Sequence, residues 1–242
     1  MKKLEPWLAI AIGLVVLAGM WLVHQVCGFG LPPPWEDETF YLWPAQAVAE
    51  ENTLFSARKH PERPILAMLM GYAWVLGMMF KAVPFSLENA RLLSLFCVMA
   101  STIGFAWIFR RESCRWLVWL IIAWVALSRP FAVGGNMVRP EALCMLGVTM
   151  ALLLADKRPL SSLAVLSLLP LFHPTGLLFF AAGLWAHGMT GAKRWFFWRG
   201  SDAIAWSVAV AAWVAMALHV GPHLQALVQD LTFNVNVYPE PW

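Results

Sequence analysis

Charged residues are scarce in this sequence, and their scarcity limits the kind of fold that it encodes. Asp, Glu, Lys and Arg make up only 13% of the 242 residues, whereas 60% of the residues are hydrophobic. A soluble domain carries roughly one-quarter charged residues. The net charge of +3 is too small to indicate a nucleic-acid-binding protein. The composition instead predicts a chain whose solvent is the lipid bilayer.

Cysteine and tyrosine are also rare. The four cysteines stand singly, without the paired spacing of a metal knuckle or a disulfide framework, at positions 27, 97, 114 and 144. Only three tyrosines accompany 15 Trp and 15 Phe. That aromatic content is typical of helices that pack within a membrane and are anchored at the lipid headgroups. No period of 20 to 50 residues recurs, which excludes a solenoid.

Apolar stretches long enough to form membrane helices recur along the chain. They lie near 7–27, 65–83, 90–109, 116–128, 141–155, 160–190 and 202–220. Pro170 and Pro174 are expected to divide the stretch 160–190 into two short helices that meet near His173, because proline cannot continue a helix. The first stretch has no small-residue cleavage site, so we expect it to remain as a membrane span.

The stretch 65–83 decides the topology, since every later span reverses direction if it crosses the membrane. If it lies on the outer surface, ten of the 17 Lys and Arg residues fall on the inner side, which satisfies the positive-inside rule best. The sequence therefore predicts an all-α polytopic membrane protein with about seven transmembrane helices and a cytoplasmic N-terminus. Its first outer loop, about 28–88, is large and contains surface-lying helices.

The acidic run Glu36-Asp37-Glu38 opens one of these surface helices. Three prolines at 32–34 lead the chain away from the first span, and Asp37 is placed to cap a helix that runs from Glu38 to about Glu51. A carboxylate at this position is also a candidate general base. Three adjacent acids would suit Mg²⁺ or Mn²⁺, held by Asp37 and Glu38, although nothing in the sequence demands a metal.

Basic residues that could face these acids follow on the same predicted side of the membrane. Carboxylates near clustered cations suit a reaction in which a hydroxyl loses a proton while a phosphate leaves. We expect Asp37 and Glu38 to supply the carboxylate. The candidates for binding the phosphate lie in the first outer loop and in two short outer turns, and they are Arg58, Lys59, Arg63, Arg139, Glu141 and His173.

Each candidate also has a purely structural explanation. Asp37 would serve as a helix cap, and Arg58 and Lys59 would serve as contacts to lipid headgroups. Arg139 and Glu141 would pair with each other at the start of a helix. His173, which stands beside Pro174, would be a histidine at the membrane boundary. The sequence alone leaves these alternatives open.

The order of these motifs resembles that of the GT-C superfamily of membrane glycosyltransferases, particularly the protein mannosyltransferases and the lipid A aminoarabinose transferase. In those proteins a first span precedes a D-E-x-x-Y run, and basic, R-P-E-like and H-P-like motifs follow in the later outer loops. The matching residues here are Asp37-Glu38-Thr39-Phe40-Tyr41, Arg63-Pro64, Arg91, Arg139-Pro140-Glu141 and His173-Pro174.

The resemblance implies a polyprenyl-phosphate-linked sugar donor, an outward-facing site and displacement with inversion at the sugar carbon. It places Asp37 near the acceptor and adds Tyr41 to the residues that bind the lipid-linked substrate. It also implies the bacterial inner membrane as the location. Family members usually continue beyond the seventh span, so the resemblance covers residues 1–242 as the shared seven-helix module, and we expect the remaining C-terminal part of the family to be absent.

Two functions of different classes follow. The first is a glycosyltransferase, or the catalytic module of one, with a polyprenyl-phosphate sugar lipid as its partner. The second is a non-catalytic membrane subunit that uses the same fold to bind a polyprenyl-phosphate lipid or to scaffold a partner subunit. A transporter is less consistent with the sequence, because the ionisable residues gather at one predicted membrane face.

Overall fold

The computed structural model describes residues 5–27, 36–54, 71–108, 120, 123, 136–189, 200–225 and 228, and every regular element among them is helical. The α-helices are α1 (Glu5–Cys27), α2 (Glu36–Glu51), α3 (Gly71–Phe80), α4 (Leu87–Ile108), α5 (Pro140–Ala155), α6 (Pro159–Phe172), α7 (Gly176–Met189) and α8 (Gly200–Val220). The all-α class is thus confirmed for the described residues. The predicted span near 116–128 lies almost wholly outside them.

The predicted break in the stretch 160–190 falls at His173, where α6 ends and the chain turns into α7. Pro170 does not end α6, contrary to expectation, and lies inside its last turn. The turn is tight, because the backbone of Gly176 packs directly against the backbone of Leu169 and Pro170. A side chain at Gly176 would collide with that backbone, which explains the glycine at this position.

Helix α6 occupies the centre of the described bundle. It packs against α5, α7 and α8, while α4 packs against α5 and α1 packs against α4. Helix α2 packs against α3 through a close approach at Gly77, which lies over Val48 and the carbonyl of Ala45. The largest core cluster of the described residues joins α2 and α3 to the segment before α5 and to α6, and it includes Tyr41, Tyr72, Leu76, Val138 and Leu171.

Asp202 of α8 fixes the beginning of α6. Its carboxylate accepts a hydrogen bond from the backbone N–H of Ser161 at 3.1 Å and another from the Ser161 hydroxyl. Arg158, the N-cap residue of α6, makes no capping hydrogen bond with its own side chain. The carboxylate of a neighbouring helix therefore satisfies a donor that a local cap would otherwise take.

Large apolar side chains cover much of the outside of the described helices. Trp7 of α1, Phe96 of α4, Trp185 of α7 and Leu218 of α8 are each at least 66% exposed. Among the residues that the structure describes, two helices are long and apolar enough to cross a bilayer, namely Leu87–Ile108 and Gly200–His223. Only 17% of the apolar window of the second is buried. Soluble monomers rarely expose large contiguous apolar patches, and so many exposed large apolar side chains favour a lipid-facing surface.

Candidate functional site

Glu38 connects the start of α2 with the starts of α4 and α5. Its Oε1 accepts hydrogen bonds from Nε of Arg91 at 3.0 Å and from the backbone N–H of Val138 at 2.8 Å. Its Oε2 accepts a hydrogen bond from Nη2 of Arg91 at 2.7 Å. Both side chains are 1% exposed. Burying a charge is costly unless it is paired and hydrogen-bonded, so this bidentate pair holds three helix starts in place.

Of the acidic run, the structure describes the side chain of Glu38 alone. The carboxylate oxygens of Glu38 face Arg91 and Val138, an arrangement that suits anchoring better than proton abstraction. Helix α2 begins at Glu36, so Asp37 lies in its first turn, and the predicted capping position for Asp37 was wrong. The Asp37 side chain lies outside the described residues, and catalysis by Asp37 and Glu38 stays a prediction.

The segment before α5 is held by a second buried contact. The backbone N–H of Arg139 donates to the hydroxyl of Ser94 in α4 at 3.3 Å, and that hydroxyl lies 3.2 Å from the hydroxyl of Tyr72 in α3. Ser94 and Tyr72 are 0% and 1% exposed. The two residues before Pro140 are thus both anchored by side chains of other helices.

Arg139, Glu141 and His173 lie together at the same end of the bundle. Nη1 of Arg139 is 3.9 Å from Oε1 of Glu141, and Nε2 of His173 is 3.8 Å from the same oxygen. The side chains of Arg139, Glu141 and His173 are 23%, 48% and 15% exposed. We call these three residues the polar cluster. Two turns that are distant in the sequence thus meet in one place, at the start of α5 and the end of α6.

The surroundings of His173 define its protonation state. Its Nδ1 lies 3.3 Å from the backbone N–H of Thr175, which can only donate, and 2.8 Å from the Thr175 hydroxyl. Nδ1 is therefore an acceptor, and the neutral ring carries its proton on Nε2, toward Glu141. Burial lowers the pKa of His173, with Glu141 opposing this effect and Arg139 adding to it, and the net shift is downward. His173 is thus a neutral donor at pH 7.

Tyr41 lies inside the core. It is 5% exposed, and its ring packs edge-to-face on that of Tyr72, with ring centroids 5.4 Å apart. Tyr41 thus contributes to the contact between α2 and α3. Its predicted contact with the lipid-linked substrate stays a prediction.

The three basic candidates that precede α3, Arg58, Lys59 and Arg63, lie outside the described residues, and their predicted contacts with a phosphate remain predictions. The stretch 65–83 is described only from Gly71 onward, where α3 begins. Helix α3 packs on α2 and ends at Phe80, after which Lys81 donates a hydrogen bond to Asn52 at the end of α2.

Sequence reasoning missed most of the buried residues that hold the segment before α5 in place. Arg91 was matched only through the family resemblance, and neither Ser94 nor Tyr72 was a candidate. One signal was available. Arg91 and Ser94 are three residues apart on a mostly apolar helix, and that spacing places them on the same face.

A divalent metal does not fit Glu38, because both of its oxygens accept hydrogen bonds from Arg91, whose positive charge would repel a cation. Among the side chains that the structure describes, no group of three or more His, Cys, Asp or Glu residues could hold a metal ion. A magnesium or manganese ion at Asp37 stays a prediction from the sequence.

Comparison of the chain with protein-family models, with curated proteins and with solved structures found no match.

Proposed function

We propose that this chain is a membrane glycosyltransferase, or the catalytic module of one, that transfers a sugar from a polyprenyl-phosphate carrier. The observation that carries the proposal is the convergence of the starts of α2, α4 and α5 with the α6–α7 turn. The buried pair of Glu38 and Arg91 joins the first three, and the contact between Glu141 and His173 adds the fourth. The acidic run and the polar cluster thereby share one end of the bundle.

The exposed apolar surface supports a location within a membrane. Helices α4 and α8 are long enough to span a bilayer of about 30 Å, and large side chains on α1, α4, α7 and α8 face outward. In the proposed arrangement the chain crosses about seven times in the bacterial inner membrane, with a cytoplasmic N-terminus. The end that carries the polar cluster then faces outward, and Arg158 at the far end of α6 faces the cytoplasm.

An apolar groove beside the polar cluster suits the lipid part of such a carrier. Its volume is about 260 Å³, and α6 forms its floor between α7 and α8. Pro170 and Leu177 lie at the end of the groove near His173, and the aromatic rings of Phe180, Trp206 and Trp213 line the remainder. A phosphate bound at the polar cluster would leave its polyprenyl chain free to enter this groove.

The chemistry of the proposed reaction is a single displacement. The acceptor hydroxyl attacks the sugar carbon as the bond from that carbon to the phosphate oxygen breaks, and the configuration at the carbon inverts. Asp37 takes the proton of the hydroxyl. Arg139 and the Nε2–H of His173 donate hydrogen bonds to the departing phosphate, whose negative charge increases as it leaves. Arg58, Lys59 and Arg63 would supply further positive charge from the first outer loop.

The second candidate is a non-catalytic subunit that binds the same lipid for a partner protein. The low burial of α8 within this chain favours it, because a helix with such an open apolar face is suited to packing against another membrane helix. The two candidates share the lipid-phosphate site and differ in whether Asp37 is needed for turnover.

Replacing Arg139 with alanine should weaken the binding of polyprenyl phosphate by at least about tenfold, since a hydrogen bond to a charged group contributes roughly 1.5 to 3 kcal/mol. The measurement is a titration of the purified protein in detergent with polyprenyl phosphate. Arg158→Ala is a matched control, because Arg158 also precedes the proline that starts a helix but lies at the opposite end of α6. Equal losses of affinity in the two variants would contradict a phosphate site at this end of the bundle.

A further inference from the structure

Ser94 is a buried hydroxyl at the junction of three elements. It is 0% exposed on α4, accepts a hydrogen bond from the backbone N–H of Arg139, and contacts the hydroxyl of Tyr72. Burial raises the pKa of Tyr72, so the tyrosine hydroxyl stays protonated and can donate to Ser94. The arrangement is an ordered chain of hydroxyl and amide groups that leads from α3 through α4 to Arg139.

These hydrogen bonds hold the segment before α5, which has no capping hydrogen bond from its own N-cap side chain. Arg139 has an extended backbone, with φ −131° and ψ 125°, and its side chain makes no capping hydrogen bond. Its backbone N–H would otherwise be a donor without a helical partner, because it precedes the first turn of α5. Ser94 supplies the acceptor, and Glu38 supplies one for the preceding residue. Both peptide groups before Pro140 are therefore fixed from outside their own helix.

We propose that Ser94, supported by Tyr72, is a positioning residue that orients Arg139 toward the lipid phosphate. The inference rests on the proposed function for the phosphate itself. Losing the acceptor frees the peptide that carries Arg139, and the guanidinium must then be ordered when the ligand binds. Ser94 touches neither the substrate nor the guanidinium and acts only through the backbone of Arg139.

Ser94→Ala should raise the dissociation constant for polyprenyl phosphate about three- to tenfold, the range expected for one net hydrogen bond. Ser101→Ala is the matched control. Ser101 is also 0% exposed on α4, but its hydroxyl donates to the carbonyl of Cys97 in its own helix. Tyr72→Phe, which leaves the acceptor on Ser94 in place, should weaken binding less than Ser94→Ala.

A double-mutant cycle separates positioning from a general effect on the fold. In the Arg139→Ala background, Ser94→Ala should leave the remaining affinity unchanged, because the guanidinium that it positions is absent. Equal effects of the Ser94 and Ser101 changes, or a full effect of Ser94→Ala in the absence of the Arg139 side chain, would overturn the proposal.

Hydrogen exchange tests the anchor without any ligand. The amide of Arg139 should exchange faster in Ser94→Ala than in the parent or in Ser101→Ala, as measured on a peptide that ends at Pro140. Unchanged exchange would overturn the positioning role. Parental affinity in Arg139→Ala, together with faster amide exchange in Ser94→Ala, would instead overturn the proposed phosphate site while leaving the anchor itself in place.

Discussion

Replacing Asp37 with asparagine is expected to slow sugar transfer at least about 100-fold while leaving the melting temperature of the protein unchanged. General base assistance typically contributes 10² to 10⁴-fold, and an amide of the same size cannot accept the proton. Asp37 lies in the first turn of α2. The interaction of a carboxylate with the helix dipole there contributes only about 0.3 to 1 kcal/mol, so the cost in stability should be small.

The transfer of labelled sugar from a polyprenyl-phosphate donor, measured alongside thermal melting, tests this expectation. Asp156→Asn is a suitable control, because Asp156 is an exposed acid that follows α5 at the other end of the bundle. Near-parental turnover in Asp37→Asn would reduce Asp37 to a structural residue and make Glu141 the next candidate for the base.

Breaking the buried pair between Glu38 and Arg91 is expected to destabilise the fold strongly. Glu38→Gln retains an oxygen for the N–H of Val138 but removes the negative charge that faces Arg91. Removing one partner of a buried ion pair typically costs about 3 to 5 kcal/mol, because the other charge remains buried without compensation. The melting temperature of the purified protein should therefore fall by much more than in Glu88→Gln, where the exposed carboxylate lies one turn earlier on α4.

A double variant distinguishes the charge effect from a loss of packing. Combining Glu38→Gln with Arg91→Met removes both charges, keeps similar side-chain volumes and retains the acceptor for Val138. Replacing both members of a buried pair is often much less costly than replacing one. The double variant should therefore melt at a higher temperature than Glu38→Gln alone. Additive destabilisation would show that the pair stabilises the protein through shape and not through charge.

Most helices could be predicted from the sequence, because a helix in lipid needs a long apolar run and such runs are easily recognised. Helix α4 begins at Leu87 and α8 ends at Val220, close to the predicted limits of 90 and 220. Prolines were less informative. Pro174 marks the end of a helix as expected, whereas Pro170 lies within the last turn of α6, where its missing N–H costs the helix one hydrogen bond to a carbonyl of the preceding turn without ending it.

The proximity of Arg139 and His173 was predictable in outline, whereas the contacts of Glu38 were not. The predicted alternation of spans puts the turns at Arg139 and His173 on the same side, and the structure brings both side chains close to Glu141. The burial of Glu38 depends on which face of α2 meets α4 and α5. Adjacent helical residues point about 100° apart, and sequence alone does not say which of two neighbouring acids turns inward.

The most direct measurement is photo-crosslinking of the purified protein with a photoreactive polyprenyl phosphate, followed by mass spectrometry of the labelled peptides. Labels should concentrate in the segments 136–141 and 173–180, and unlabelled polyprenyl phosphate should compete for them while polyprenol, which lacks the phosphate, should not. Uniform labelling of all helices with exposed apolar surfaces would contradict a lipid-phosphate site formed by Arg139 and His173. Phosphate-dependent labelling near Arg158, at the opposite end of α6, would contradict it as well.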